Sequence, residues 1–316
     1  MPHGFLLHIK PRTIFYDQVF MMQSYIGRFA PSPSGPLHFG SLVCALISFL
    51  HARQAKGQWV VRIEDVDTTR VKAGADQIIL SQLIAHGMQW DGNIIYQTNR
   101  QYAYQSAVDI LHQKQLIYAC SCTRKSIKSR GKYYTGTCRN LHLPFKNNAI
   151  RVINTCHDCR FQDLNLGEVL VDPLFCNEDV CIKRKDGLFA YNLAVVVDDI
   201  TQNITHVVRG ADLIDTTLQQ RHLYKVLDKN GPKYLHLPTI CSEDGKKLSK
   251  QTQATAIENR RASKNLVDAL SVIGMSSHSL SEKMTVEELI HWALAHWSPN
   301  LLAKRREILI SAINTV

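Results

Sequence analysis

No stretch of the 316-residue sequence is apolar over the roughly 20 residues that a membrane-spanning helix needs. The longest candidate, residues 42–50, is interrupted by Ser48 and followed closely by basic residues. The first twenty residues also lack the sustained apolar segment and the small-residue cleavage site of a secretory signal. We therefore expect no membrane partner, and we interpret residues 1–24 as a dispensable extension.

The sequence also lacks the regular, even set of cysteines that characterises disulfide-bonded secreted domains. It has nine cysteines, an odd number without a tidy framework. This usage favours a reducing, cytoplasmic environment in which thiols bind a metal or lie buried.

Acidic residues are outnumbered, because 27 Asp and Glu face 37 Lys and Arg and leave a formal net charge of +10. A basic surface attracts polyanions, since neutralising their phosphates releases counterions. Apolar residues nevertheless make up 45% of the chain, as in a globular protein with a sizeable core. Nucleic acid is therefore a partner class that the composition favours without establishing it.

Residues 27–42, GRFAPSPSGPLHFGSL, contain three prolines and three glycines, a density that excludes a helix and a central strand. The residues before them, 25–27, have the character of a strand end. Apolar residues after them recur at helical spacing: Leu42, Ala45, Leu46, Phe49 and Leu50. A strand, loop and helix in this order often bind an anion at the helix start, near His38. An ordinary surface turn is the alternative.

Strand-like and helix-like segments alternate in the rest of the chain. QWVVRIEDVD (58–67) predicts a strand that ends in acidic residues, and helices are predicted at 73–86 and 101–115. Further β-branched runs predict strands of the same sheet: AIRVI (149–153), EVLVDP (168–173), DVCIKR (179–184) and LAVVVDDITQNITHVVRG (193–210). This alternation predicts an α/β fold with a parallel sheet, whose ligands bind at the carboxyl ends of the strands. The last third is helical, with Thr285 and Glu288 as a capping box.

Between Tyr118 and residue 160 the periodicity is lost and cysteines accumulate: Cys120, Cys122, Cys138, Cys156 and Cys159. Thiols at this density in a reducing compartment indicate a tetrahedral zinc site. The residues alone leave two ligand sets open. Either the C-x-C and C-x-x-C pairs bind together, or the first three cysteines bind with a nearby donor such as Tyr134. Small buried cysteines without a metal are the further alternative.

A second candidate for phosphate binding is SEDGKKLSKQT, residues 242–252, which has three lysines within five positions. A lysine-rich loop of this kind can surround a polyphosphate, with each ammonium acting as a point charge. A solvated basic loop is the alternative.

Together, these two phosphate-type segments resemble the signatures of class I aminoacyl-tRNA synthetases, usually written HIGH and KMSKS. Here they read HFGS at residues 38–41 and KLSKQ at residues 247–251, with Ser41 where the motif has its second histidine. RFAPSPSGPLHFG, RIEDVD and VVRGADL are similar to the glutamyl subgroup, and the match extends from residue 25 to about residue 270. The resemblance implies a Rossmann-like α/β catalytic domain with a zinc-bearing insertion and a short helical C-terminal part.

The resemblance also implies roles for individual residues. His38, Gly40, Lys247 and Lys250 would be catalytic, and the first two with Lys250 would bind ATP, which enters with Mg²⁺. The glutamate pocket would comprise Arg28, Phe29, Ala30, Pro31, Ser32, Glu64, Tyr191 and Arg209. In it, Arg28 would clamp the side-chain carboxylate and Glu64 would receive the ammonium group. A neutral glutamine amide would leave the guanidinium poorly paired, which explains a preference for glutamate.

For the insertion, the family pattern is C-x-C followed by Tyr-x-x-x-Cys, a spacing that residues 134–138 match. The resemblance therefore implies one structural zinc ion held by Cys120, Cys122, Tyr134 and Cys138. It leaves Cys156 and Cys159 outside the site.

Of the 316 residues, 66 follow Lys250, too few for the anticodon-binding domains of an ordinary glutamyl-tRNA synthetase. The chain thus resembles the truncated glutamyl-queuosine tRNA(Asp) synthetase family. This implies an ATP-dependent ligase, expected to be a monomer, that activates L-glutamate to glutamyl-adenylate and transfers it to queuosine in the anticodon loop of tRNA(Asp). A shortened conventional synthetase charging a tRNA 3′ end is the principal alternative; a small-molecule nucleotidyltransferase and a non-catalytic RNA-binding relative are less compatible with the motifs.

The expected organisation follows from these assignments. The catalytic domain would comprise residues 25–117 and 161–255, interrupted by a zinc-binding insertion at 118–160. Residues 256–316 would form the helical C-terminal region, without an anticodon-binding domain.

Overall fold

The computed structural model describes residues 24–156, 158–241 and 256–309. Its strands are β1 (Ile26–Phe29), β2 (Gln58–Ile63), β3 (Ile95–Tyr96), β4 (Ile117–Cys120), β5 (Ala149–Val152), β6 (Arg160–Asp163), β7 (Gly167–Leu170), β8 (Val180–Lys183), β9 (His206–Gly210), β10 (Lys233–Leu237), β11 (Thr239–Cys241) and β12 (Glu307–Leu309). Its helices are α1 (Phe39–Gln54), α2 (Ala75–Ala85), α3 (Gln101–Gln113), α4 (Arg124–Lys128), α5 (Pro173–Cys176), α6 (Tyr191–Thr201), α7 (Ile214–Val226), α8 (Ala262–Val272) and α9 (Val286–His296).

Seven strands form the main sheet in the order β3-β2-β1-β9-β10-β6-β7. All neighbouring pairs are parallel except β6 and β7, which form an antiparallel hairpin at one edge. From β1 the chain moves outward through α1 to β2, and from β9 it moves through α7 to β10 on the other side. The strand order therefore reverses between β1 and β9, which is where open parallel sheets bind their ligands.

The helix α1 covers the centre of this sheet. The five apolar residues that recur at helical spacing after the Pro/Gly segment are all buried in the main core, as predicted: Leu42, Ala45, Leu46, Phe49 and Leu50. The helix ends at Gln54, and Gly57 then starts the return into β2. A side chain at Gly57 would place its Cβ 2.4 Å from the Tyr25 carbonyl oxygen, so only glycine permits this close approach.

A separate antiparallel sheet of three strands, β4-β5-β8, carries the cysteine-rich segment. The sequence predicts that AIRVI and DVCIKR belong to the parallel sheet, and this prediction is wrong. They form β5, which pairs with β4, and β8, which pairs with β5, so this second sheet continues beyond residue 160 to Lys183. The β-branched pattern predicts a strand but carries no information about its partner.

The run LAVVVDDITQNITHVVRG is also different from its prediction as one strand. Its first part belongs to α6, and only its end forms β9. The α6 residues from Leu193 to Val197 are buried, with α6 packed between α3 and α7. A continuous apolar run of this length, rich in β-branched residues, does not distinguish a buried helical segment from a strand, which is why the valines predict a strand. In addition, β1 extends to Phe29, two residues beyond the predicted strand end.

The C-terminal helices α8 and α9 pack against α1. The predicted capping box is confirmed at the start of α9. There, the Thr285 hydroxyl accepts from the Glu288 backbone at 3.2 Å, and the Glu288 carboxylate accepts from the Thr285 backbone at 2.7 Å. None of the helices described for this chain is long and apolar enough to cross a membrane.

Protonation of one histidine on a central strand destabilises the fold. His206 on β9 stacks on Tyr25 with ring centroids 4.2 Å apart. Burial, assisted by His51 and Lys233, lowers the pKa of His206 from 6.5 to about 4. Because the unfolded chain binds this proton more readily than the folded chain, His206 reduces the stability of the fold as pH falls through this interval.

When the pH is lowered from 6.5 to 4, we expect the free energy of unfolding to fall less in His206→Gln than in the unsubstituted protein, because the variant lacks this imidazole. Urea unfolding midpoints across this range measure the effect, with the exposed His291→Gln variant as the matched control. An unchanged pH dependence in His206→Gln would show that the imidazole is not the group responsible.

Candidate active site

A cavity of about 310 Å³ opens at the carboxyl ends of β2, β1, β9 and β10. It spans the reversal of strand order between β1 and β9. Ten of the residues that the sequence assigns to glutamate or ATP are described by the structure, and all ten line this cavity: Arg28, Phe29, Ala30, Pro31, Ser32, His38, Gly40, Glu64, Tyr191 and Arg209. Residues far apart in the chain therefore converge on one concave surface.

Arg28 is held by the carboxylate of Asp199 on α6. Its Nε lies 3.5 Å from Asp199 Oδ1, and both side chains are buried. The same oxygen of Asp199 lies 2.7 Å from Nη1 of Arg62, on the neighbouring strand β2. Burial alone would raise the pKa of Asp199, but the charges of Arg62 and Arg28 hold that pKa below the usual value for an aspartate. Asp199 is therefore an anion that orients both guanidinium groups.

The Arg28 guanidinium is not saturated by the protein. Among the residues that the structure describes, its Nε has an ionic neighbour but no hydrogen-bond acceptor of suitable geometry. A buried, incompletely satisfied cation at a cavity wall is a site for a carboxylate ligand.

Glu64 follows β2 and supplies the opposite charge. Its carboxylate lies 3.3 Å from Arg62 Nη2, and the residue is only 8% exposed. Burial raises the pKa of Glu64, whereas Arg62 and Arg28 act to lower it. An arriving ammonium group would offset the same desolvation and stabilise the charged carboxylate.

Arg209 and Tyr191 form the opposite wall. Arg209 is buried at the end of β9, where Nη1 donates to Gln220 and Nη2 donates to Thr217, both at 2.7 Å. These contacts to α7 make Arg209 a rigid part of the cavity. Tyr191 is the first residue of α6 and remains half-buried. Burial, with the nearby Glu64 carboxylate, raises the pKa of Tyr191 to about 12, so its hydroxyl stays protonated.

His38 is the N-cap of α1, and Ser41 holds its ring. His38 Nδ1 accepts from the Ser41 backbone at 3.3 Å, and the Ser41 hydroxyl lies 2.9 Å from His38 Nε2. In the sequence, Ser41 is only a departure from the HIGH motif, whereas the structure shows that it positions His38. The first turn of α1 faces the cavity through Gly40 and Ser41, as an anion-binding helix start requires.

Lys247 and Lys250 lie outside the described residues. The chain on either side of this segment is described, and both ends lie at the cavity. Ile240 lines it, and Ala256 forms an antiparallel bridge with His38. Gln82 fixes the second end, because its amide accepts from Leu37 N and donates to the Ile257 carbonyl.

A larger cavity of about 750 Å³ adjoins the first and shares Ser32, Glu64 and Tyr191 with it. It extends toward the cysteine-rich sheet as far as Cys122. Its charged lining is mostly basic: Arg70, Arg124, Arg151, Arg184 and Lys185 oppose Glu64, Asp67 and Asp186. This cavity is suited to a large anionic ligand that reaches the smaller one.

The thiols of Cys120, Cys122 and Cys138 lie within 4.8 Å of one another, the one such group found among the described residues. The Sγ atoms of Cys122 and Cys138 are 3.5 Å apart. Tyr134 accepts a hydrogen bond from the Cys138 backbone at 2.8 Å, which brings its phenol oxygen beside the thiols. Three sulfur donors and one oxygen are a set that suits zinc.

The electrostatic environment favours a thiolate in this group. Burial alone would raise the pKa of Cys138, but hydrogen bonds from the Ser121 backbone and the Cys122 thiol lower it to about 7. A substantial fraction of this thiol is therefore ionised near neutral pH, which is the form that binds metals. Arg130 adds a positive charge 3.6 Å from Cys122 Sγ. Cys156 and Cys159 are not part of the group.

Three positioning residues have no role in the sequence analysis: Arg62, Asp199 and Ser41. The first two stand in the quoted segments RIEDVD and LAVVVDDITQNITHVVRG, and consecutive acids after an apolar run were a detectable signal of buried charge. Their ion pair, however, joins residues 137 positions apart and depends on α6 being a helix.

The chain matches the family described as the catalytic domain of class I tRNA synthetases (E and Q) over residues 26–309. It is 46% identical over 286 residues to the glutamyl-Q tRNA(Asp) synthetase of Serratia proteamaculans, covering 90% of this chain and 94% of that protein. It is 47% identical over 273 residues to the Salmonella typhi protein of the same name, covering 86% and 92%.

Solved structures show the same fold. The crystal structure of a glutamate tRNA ligase from Elizabethkingia meningosepticum, in complex with its amino acid, superimposes with a TM-score of 0.75 at 23% identity. The match covers 92% of this chain and 67% of that one.

We expect Cys122→Ser to lower the zinc content of the purified chain by one ion per molecule, because the variant removes one of three clustered thiolates. Elemental analysis after exhaustive dialysis measures the loss. Cys241→Ser, which changes a buried cysteine outside this group, is the matched control. Equal zinc contents in Cys122→Ser and the unsubstituted protein would contradict the assignment.

Proposed function

We propose that this chain, which belongs to the class I glutamyl and glutaminyl tRNA synthetase family and within it to the glutamyl-Q tRNA(Asp) synthetases, activates L-glutamate with ATP and transfers it to queuosine in tRNA(Asp). The chain is an aminoacyl-tRNA synthetase-like ligase. The observation that carries the proposal of glutamate activation is that a buried arginine, Arg28, and a buried glutamate, Glu64, line the same cavity at the start of α1.

Glutamate has three charged groups, and the cavity contains an oppositely charged side chain for two of them. Arg28 pairs with the side-chain carboxylate and Glu64 with the ammonium group. The α-carboxylate is left to react with ATP. The orientation is favoured because Asp199 and Arg62 hold both protein charges in place before the substrate arrives.

Activation joins an α-carboxylate oxygen of glutamate to the α-phosphorus of ATP. The bond from that phosphorus to the bridging oxygen breaks, and pyrophosphate leaves. A Mg²⁺ ion bound with ATP would supply charge neutralisation on the phosphates. We assign the remaining stabilisation to His38, the first-turn amides of α1, and Lys247 and Lys250, whose flanking residues reach the same cavity.

Transfer then requires a hydroxyl of the acceptor to attack the carbonyl carbon of glutamyl-adenylate. The ester bond forms, the carbonyl carbon separates from the phosphate oxygen, AMP leaves, and the hydroxyl proton is released to solvent. The larger cavity is the route that we assign to the acceptor nucleotide, since it is basic and shares Glu64 and Tyr191 with the glutamate pocket. Exposed loop nucleotides are the parts of RNA that proteins usually bind in such pockets.

The identity of the acceptor as queuosine in tRNA(Asp) is supported by the relatives, which carry that activity in their name and match over nearly their whole length. We also assign one structural zinc ion to Cys120, Cys122, Tyr134 and Cys138, beside the wall of the acceptor cavity. There it would hold the cysteine-rich segment against β4.

We expect Arg28→Gln to raise the KM for glutamate in ATP–pyrophosphate exchange roughly 10- to 100-fold, the usual effect of losing a charged hydrogen bond. The KM for ATP should stay unchanged, and the preference for glutamate over glutamine should fall. Exchange assays with each amino acid measure these values.

The matched control for this variant is Arg53→Gln, which removes an arginine paired with Asp91 outside the cavity. Arg53→Gln should leave the KM for glutamate unchanged. Equal exchange with glutamine in the unsubstituted protein would contradict the carboxylate-clamp role of Arg28.

We expect radioactive glutamate to label tRNA(Asp) that contains queuosine, and to label neither tRNA(Asp) lacking it nor tRNA(Glu). Removing the 3′-terminal adenosine should leave the labelling intact, because the acceptor hydroxyl lies in the anticodon loop. Nuclease mapping of the labelled nucleotide provides the direct measurement.

Arg124→Ala tests the assigned route, since Arg124 lines only the larger of the two cavities. We expect this variant to slow transfer while ATP–pyrophosphate exchange continues at the normal rate.

In the labelling experiment, labelling that requires the 3′-terminal adenosine would instead identify a conventional glutamyl-tRNA synthetase.

A further inference from the structure

The C-x-x-C pair of Cys156 and Cys159 has no role in the activity proposed above. It lies in the connection between β5 and β6, at the junction of the two sheets. Asn154 anchors one end of this connection, because its side chain accepts from the Cys156 backbone and donates to the Cys176 carbonyl. The other end is anchored where the Cys159 carbonyl accepts from Val171 at 3.0 Å.

A third thiol lies beside this pair. Cys176 is the last residue of α5 and is buried in the same small apolar cluster against which Cys159 packs. Its Sγ lies 3.4 Å from the Asp158 carbonyl oxygen, and the Cys159 thiol is within hydrogen-bonding reach. Three thiols from two segments are thus gathered at one place, apart from the Cys120 group.

His222 on α7 completes the set. It lines a cavity of about 400 Å³ together with Cys156 and Cys176. The residue is 3% exposed, and its Nδ1 is buried without a hydrogen-bond partner among the described residues. Its Nε2 lies 3.1 Å from the Ile153 carbonyl oxygen and donates to it. This hydrogen bond leaves the lone pair on Nδ1, the tautomer and backbone contact typical of metal-binding histidines.

We propose that Cys156, Cys159, Cys176 and His222 form a second site for a thiophilic divalent metal, with zinc as the natural occupant. Three sulfur ligands and one imidazole nitrogen are a common donor set for structural zinc. As each Zn–S bond forms, the thiol releases its proton to solvent.

A metal ion accounts for the site better than a disulfide does. A Cys159–Cys176 disulfide would use two thiols and leave both Cys156 and the Nδ1 atom of His222 without a partner. A zinc ion uses all four groups and satisfies the buried nitrogen.

Formation of the site requires a local movement. Within the part of the chain that the structure describes, only the Cys120 group has three ligand atoms within 4.8 Å of one another. Metal binding therefore brings Cys156 and Cys159 closer to Cys176 and His222. In doing so it ties the three-stranded sheet to α5 and α7 of the catalytic fold.

The metal content of the full chain, expressed with zinc and dialysed, tests this site without any activity measurement. We expect two zinc ions per unsubstituted chain, one in Cys176→Ser, one in Cys122→Ser and none in the double variant. Cys241→Ser should retain both. Reconstitution of Cys122→Ser with Co²⁺ should give the absorption of thiolate-bound tetrahedral cobalt, and His222→Gln should weaken cobalt binding at least tenfold.

One zinc ion in the unsubstituted chain, unaffected by Cys176→Ser and by His222→Gln, would overturn the proposal. So would a Cys159–Cys176 disulfide found by peptide mapping of the unreduced protein. If Cys176→Ser fails to fold, the zinc content of the unsubstituted chain and the cobalt affinity of His222→Gln decide the question.

Discussion

Two buried arginines on neighbouring strands, Arg28 and Arg62, are ion-paired with a single carboxylate, that of Asp199 on α6. An isolated charge in this interior would cost several kcal/mol, so each of the three depends on the other two. The arrangement requires α6 to bring Asp199 within reach of both strands. Arg62 also reaches Glu64, and Arg28 and Glu64 are therefore held by one shared network.

The neighbouring Asp198 extends this network toward the rest of the molecule. It is fully buried, and it accepts from the Tyr104 hydroxyl at 2.8 Å and from Arg100 at 3.0 Å. These contacts attach α3 to α6, and α3 leads directly into β4 and the cysteine-rich sheet. On that sheet another buried aspartate, Asp179, accepts from Tyr118 and Arg139. The cavity walls are thus joined to the insertion by buried carboxylates as well as by apolar packing.

Much of this arrangement was predictable from the sequence. The Pro/Gly segment, the helix after it and the acids after β2 are local features, and local features are what periodicity and turn residues encode. The pairing of β5 with β4 and of β8 with β5 was not predictable, because a β-branched run does not specify its partner strand. The helical state of residues 191–201 was not predictable, because the continuous apolar run at 193–197 fits a buried helix and a buried strand equally well. Asp199 went unrecognised for the same reason, since its role exists only once α6 is a helix.

The pairing of β1 with β9 has a consequence for how the protein is made. Thr205, next to β9, bonds to Ile26 in β1, and 179 positions separate the two residues. During synthesis, the edge of β1 that pairs with β9 therefore stays unpaired until more than half of the chain has emerged. Contacts of such long range are slow to form, and waiting strand edges are prone to aggregation. The 310 Å³ cavity, which lies across this pairing, therefore assembles late in the synthesis of the chain.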